Sequence, residues 1–246
     1  MSTSESRGPF SRRGFIAAAV VVGIIVLAAI VVIATSIARG STTSATPPTS
    51  KPTAKSTPSP SADETSVCGL SGLEAKSSLS SAPTNKWRLV GTVAAPDDPQ
   101  GAGPGTDRDG YLSCFSHTAK GALFAAVNIY AMSTDSRLAS QIAERSLVPG
   151  VGRDAAIKKE ASGQDSSSNA NLRVQVAGFK IDSYSATRAT VDVVFQVATT
   201  GALVSVPTVL QWSGGDWKGV TDDQGDSPLQ SAQIQDLGGY TPWSGA

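Results

Sequence analysis

The sequence predicts an α+β fold class: helices packed on a curved antiparallel sheet, preceded by an N-terminal transmembrane helix and a disordered stalk. Three observations carry this. Apolar residues run without a charge from Phe15 to Ile37, helical spacing governs the chain between Thr118 and Glu160, and the hydrophobic period changes to two from Leu172 onward. The implied organisation is a cytoplasmic tail at 1–14, a transmembrane helix at 15–38, a Ser/Thr/Pro-rich linker at 39–66 and an extracytoplasmic domain at 67–246.

In the first segment, 14 of the 23 residues from Phe15 to Ile37 are Ile, Val, Leu or Phe. A helix of that length rises about 34 Å, enough for a hydrocarbon core of about 30 Å. Each such side chain favours insertion by about 0.3–0.6 kcal/mol near the bilayer centre. Ser36-Ile37-Ala38 imitates a signal-peptidase site, but secretory apolar cores run to about 7–15 residues. The segment is therefore read as an uncleaved signal-anchor, and the lipid bilayer is the expected partner of residues 15–38. Basic residues are equal in number on the two sides, Arg7, Arg12 and Arg13 against Arg39, Lys51 and Lys55. The tighter clustering of Arg12 and Arg13 places the N-terminus inside and the rest of the chain across the membrane.

Residues 40–66 are mostly Ser, Thr, Pro and Ala, with Pro47, Pro48, Pro52, Pro58 and Pro60 among them, and hold nothing to bury. Cys68 then opens the domain, and Cys114 lies just before its first helical segment. An exported domain with two cysteines is expected to join them, although two separate buried thiols are the alternative. The bridge would close a loop of about 46 residues, worth about 4 kcal/mol on the chain-entropy account.

Ser71 to Gly110 is rich in turn formers and is expected to be mainly loop, with one strand at Trp87–Val93. Ser116 or Thr118 caps a helix carrying Leu123, Val127 and Tyr130. A second helix starts near Asp135, sets Leu138 and Ile142 on one face and stops at Pro149-Gly150; Asp154 to Glu160 makes a short third. A polar loop occupies Ser162 to Ala170. Leu172, Val174 and Val176 then share a face that Phe179 and Ile181 continue only if Gly178 marks a β-bulge. Ala189, Val191, Val193, Phe195 and Val197 alternate with Arg188, Thr190, Asp192 and Gln196, a half-buried strand. Val204, Val206, Leu210 and Trp212 give a third, with Pro207 implying a bulge or an edge, and Ser213-Gly214-Gly215-Asp216 turns into a fourth beginning at Trp217.

Charge and composition exclude several functions. From Val67 onward there are 14 Lys+Arg and 17 Asp+Glu, a balance of −3, which offers no basic face for nucleic acid. One histidine and two cysteines in the whole chain exclude most zinc sites. His117 could be imagined as a general base, but its place beside a helix start points to packing or capping. Asp107-Arg108-Asp109-Gly110 and Asp222-Asp223-Gln224-Gly225-Asp226 lack the ligand spacing and closing Glu of a calcium loop. Gly101-x-Gly103-x-Gly105 follows no strand and opens no helix of the phosphate-binding kind. No catalytic residue, metal or cofactor is expected, and the chain is read as a non-enzyme. Trp87, Phe195, Trp212 and Trp217, with Trp243, are candidates either for core packing or for lining a ligand pocket.

Helices followed by an antiparallel meander that ends in Trp212-Ser213-Gly214-Gly215-Asp216-Trp217-Lys218 resemble the nuclear-transport-factor-2-like α+β roll. The whole layout, with Ser113-Cys114-Phe115-Ser116, Gly121-Ala122-Leu123-Phe124-Ala125-Ala126 and Ala177-Gly178-Phe179, is similar to an uncharacterised family of actinobacterial single-pass membrane proteins. Those proteins in turn resemble the scaffold subunits of conjugation and type IV secretion channels. The resemblance implies an envelope scaffold or assembly protein that docks with protein partners or with itself. The alternative it leaves open is a small-molecule or lipid-binding pocket, since this roll hosts both.

Overall fold

A computed structural model describes residues 65–163 and 173–245. The expected cytoplasmic tail, transmembrane helix and most of the linker lie outside these residues, as do Leu172 and most of the Ser162–Ala170 loop. Among the described residues no helix is long and apolar enough to cross a membrane.

Two hairpins come first: β1 (Lys86–Val90) with β2 (Val93–Asp97), and β3 (Thr106–Arg108) with β4 (Tyr111–Ser113). The sequence predicts a single strand over Trp87–Val93 with loop around it. Instead Gly91, at φ 56°, turns the chain back on itself, and the Thr92 N–H donates to Thr134 Oγ1 at 2.9 Å. Pro96 sits opposite Trp87 in this ribbon, where the far side of β2 has no ladder to interrupt.

Of the two expected caps, Ser116 and Thr118, helix α1 (Ala119–Met132) begins on Thr118, whose hydroxyl accepts the Gly121 N–H at 3.0 Å. Leu123, Phe124 and Val127 are fully buried along with the alanines between them. Small side chains let β2, β4, β6 and β8 all approach α1, so the helix is apolar around most of its circumference and forms the centre of the core. A 3₁₀ turn (Ser136–Leu138) capped by Asp135 leads into α2 (Ala139–Arg145). α3 (Val151–Ser162) packs on α2 and ends at Gly163 in the left-handed conformation.

The antiparallel sheet is built from β5 (Val174–Tyr184), β6 (Arg188–Val197), β7 (Leu203–Trp212), β8 (Trp217–Gly219), β9 (Ala232–Ile234) and β10 (Thr241–Pro242). Its order is β10-β5-β6-β7-β8, with β9 also pairing with β7. The register between β5 and β6 shifts between Val176 and Gly178, the bulge that the hydrophobic phase required, and again between Ile181 and Ser183. A Cβ on Gly178 would come within 3.0 Å of Thr241 O, so the bare backbone there lets β10 close on β5. Pro207 makes no bulge: it faces Asp192 in an unbroken β6–β7 ladder. Across β7, β9 covers Leu203 to Ser205 and β8 covers Leu210 to Trp212. Pro207 falls in the gap between them, the edge that a missing N–H tolerates.

Ala189, Val191, Val193 and Phe195 face the core as their alternation predicts, but Asp192 and Val194 on the opposite face are buried too. The chain after β8 returns across that face. Tyr240 Oη donates to Asp192 Oδ2 at 2.7 Å, and Ser205 Oγ lies 2.8 and 2.9 Å from the two carboxylate oxygens. β9 and β10, three and two residues long, are too short to leave a periodic trace in the sequence.

Candidate functional site

The five candidate aromatics divide into three groups rather than lining one pocket. Trp212 and Trp217 oppose each other across the β7–β8 pair, edge to face with centroids 5.4 Å apart. His117 stacks on Trp212 at 3.8 Å, and its Nε2 is hydrogen-bonded to Ala186 O. A carbonyl can only accept, so Nε2 carries the proton in this bond, which fixes the ring against Trp212. Trp217 Nε1 donates to Ser116 O at 3.0 Å. Phe195 stacks instead on Tyr130, with centroids at 4.1 Å. Half-buried Trp87 meets Trp243 at 4.8 Å, and Trp243 goes on to reach Phe124 and Phe179 at 5.9 and 5.5 Å. Together these rings occupy the space between α1 and the sheet.

Cys68 and Cys114 are joined in a disulfide, with Cα atoms 6.0 Å apart. Beside it, Gly214 and Gly215 take φ values of 63° and 76°, a pair of left-handed residues that forms a tight hairpin turn. The turn aims Asp216 at the β4–α1 connection. Its carboxylate accepts the N–H groups of Cys114 at 2.7 Å, Phe115 at 2.9 Å and Trp217 at 2.9 Å. Burial pushes the Asp216 pKa up to about 6, against the opposing pull of those donors and of the Lys218 ammonium. Gly215 O also accepts the Val67 N–H at 2.8 Å. The bridge, the carboxylate and this backbone bond together gather three separate stretches of chain. Sequence reading treated Asp216 as a turn residue only, because its partners lie 101 and 102 residues away.

A surface cleft of about 370 Å³ opens beside this junction, between the β3–β4 hairpin, the end of α2 and β8; Arg108, Arg145, Lys218, Tyr111 and Asp216 are among its lining residues. The calcium-like turns are ordinary Asx turns. Asp107 Oδ1 accepts the Gly110 N–H at 2.9 Å, Asp222 Oδ1 accepts the N–H groups of Gln224 and Asp226 at 2.9 Å, and Asp226 pairs with Lys159 at 2.6 Å. Among the described residues no three His, Cys, Asp or Glu side chains converge as a metal site would require. The glycine-rich run is tied down by Asp98, whose carbonyl accepts the Gly101 N–H at 3.0 Å and whose carboxylate meets Lys120 at 2.9 Å.

These features define a disulfide-stapled α+β domain with an aromatic interior and a mixed-charge cleft beside the staple. The chain belongs to a family of domains of unknown function, DUF8175, whose model matches residues 47–242. No curated protein and no solved structure matches it.

Proposed function

We propose that the protein is a membrane-anchored, extracytoplasmic scaffold or assembly subunit of the nuclear-transport-factor-2-like type. It works by docking with envelope proteins or with itself, in an apparatus of the conjugation or secretion class. The observation that carries this reading over the pocket alternative is the filled interior. Trp212, Trp217, Phe195 and Trp243 are all buried between α1 and the sheet, where a ligand-binding roll keeps its cavity. The Cys68–Cys114 bridge supports an oxidising compartment, and the uncharged apolar span from Phe15 to Ile37 supports an anchor that delivers the domain there.

Crosslinking the full chain in intact cells tests the reading. Recovery of defined heteromeric or homomeric adducts is the expected result, and exclusively monomeric protein at the native expression level is the result against it. A reporter fused after Ala246 tests the topology separately. Activity restricted to the outside is expected, and activity restricted to the cytosol overturns the anchor and the docking surface together.

A further inference from the structure

The cleft between the β3–β4 hairpin, the end of α2 and β8 has an electrostatic character unlike the domain around it. From Val67 onward the chain carries three more acidic than basic residues, 17 against 14. The cleft wall reverses that balance, with Arg108, Arg145 and Lys218 set against the single carboxylate of Asp216. That carboxylate is already engaged by three backbone N–H groups. Among the described residues neither Arg108 nor Arg145 has a carboxylate within ion-pair distance. Lys218 is half-buried and gives one hydrogen bond, to Arg145 O at 2.7 Å, which leaves two of its three N–H donors for another acceptor. Burial and the nearby Arg153 both work against its charge, with Asp216 opposing them. An added anion would relieve that strain.

The cations are also placed rather than loose. The Arg145 guanidinium lies over the Tyr111 ring, 5.7 Å from its centroid, and the Tyr111 hydroxyl is held to Ser146 Oγ at 3.0 Å. Aromatic stacking of this kind orients a guanidinium while leaving its N–H fork free for planar oxyanions. Three cations less one carboxylate leave a charge of two to be neutralised, which a dianion matches and a monocarboxylate does not. A volume of about 370 Å³ stands at the small end of the ligand-site range of roughly 300–1,000 Å³. It admits a phosphate with a small organic group attached.

We propose that this cleft binds a phosphate monoester, gripped by Arg108, Arg145 and Lys218. The site is independent of the aromatic interior and of the membrane assignment. Its test is calorimetric titration of the full chain in detergent with glycerol phosphate at constant ionic strength, with acetate as the monoanion control. Saturable binding of the ester, absent for acetate, is expected. Arg108→Gln and Arg145→Gln each weaken it by about five- to tenfold, the loss of one charge-assisted contact. Both arginines are exposed and outside the core, so the variants fold; Arg137→Gln, on a different surface, leaves the affinity unchanged. Phosphatidic acid mixed into the detergent micelles, with phosphatidylcholine as control, separates the sources: saturable heat with phosphatidic acid and not with phosphatidylcholine identifies a lipid headgroup, heat with the soluble ester alone a free ligand, and each keeps the proposal. No saturable heat with either phosphate form, equal affinity for acetate, or unchanged binding in both R108Q and R145Q overturns it.

Discussion

Reducing the Cys68–Cys114 bridge removes a constraint from the unfolded chain while leaving most of the folded junction in place. In the native domain the same stretches are held by the Val67 N–H to Gly215 O bond, by the Leu73–His117 bridge and by the Asp216 carboxylate on Cys114 and Phe115. The folded state therefore survives reduction, and the effect falls on the denatured ensemble. The cysteines are 46 residues apart; chain entropy for a loop of that size gives about 4 kcal/mol at 25 °C. Urea unfolding of the full chain in detergent, followed by tryptophan fluorescence with and without reductant, measures the difference. The expected result is a native spectrum in both states without urea, and an unfolding free energy lower by about 3–4 kcal/mol after reduction. A difference under about 1 kcal/mol would refute the entropic argument. Loss of the native spectrum on reduction alone would refute the claim that the remaining contacts hold the junction.

Three further outcomes are expected. Asp216, its pKa raised to about 6 by burial, favours the folded state most below the ordinary carboxylate range, and this contribution is lost as pH rises through about 6; the loss is about 3 kcal/mol. Between pH 4 and 7 the stability of Asp216→Asn should lack that slope, so its difference from the parent chain changes with pH, and identical slopes in the two chains contradict the assignment. Trp217→Phe gives up the bond to Ser116 O and leaves a void against Trp212, lowering stability by about 2–4 kcal/mol in chemical denaturation. Tyr240→Phe takes one donor from the buried Asp192 at a cost of about 1–3 kcal/mol; limited proteolysis should then cut the segment after β8 sooner than in the parent chain.

Local chemistry made much of the fold legible. Thr118, with Ser116, marked the start of α1 by its capping hydroxyl, Gly178 announced the bulge because Phe179 and Ile181 were out of phase with Val176, and β6 alternated from Arg188 to Val193. Contacts that come from far along the chain leave no such local mark. Asp192 read as solvated because nothing near it shows that Tyr240 will fold back over it. Val93 to Asp97 read as the end of one strand and a loop, because Pro96 and the acidic pair hide a pairing set by the turn at Gly91. The candidate aromatics stood open between core packing and pocket lining, and their division among Tyr130, Trp243 and His117 depends on packing that spacing alone does not encode. The cleft was invisible for the same reason, since Arg108, Arg145 and Lys218 sit on three separate elements.

The junction at Cys68 also settles how the domain responds to being pulled from its N-terminal side. Tension entering at Thr65 meets a covalent link three residues later and passes through sulfur directly to Cys114, at the threshold of α1. The intervening chain, with both small hairpins, is bypassed and stays slack. On the way to that link the pull also loads the Ser66 hydroxyl contact with Cys114 Sγ and the backbone bond from Val67 to Gly215. A domain wired in this way takes a pull at its N-terminal side without loading its two ribbons.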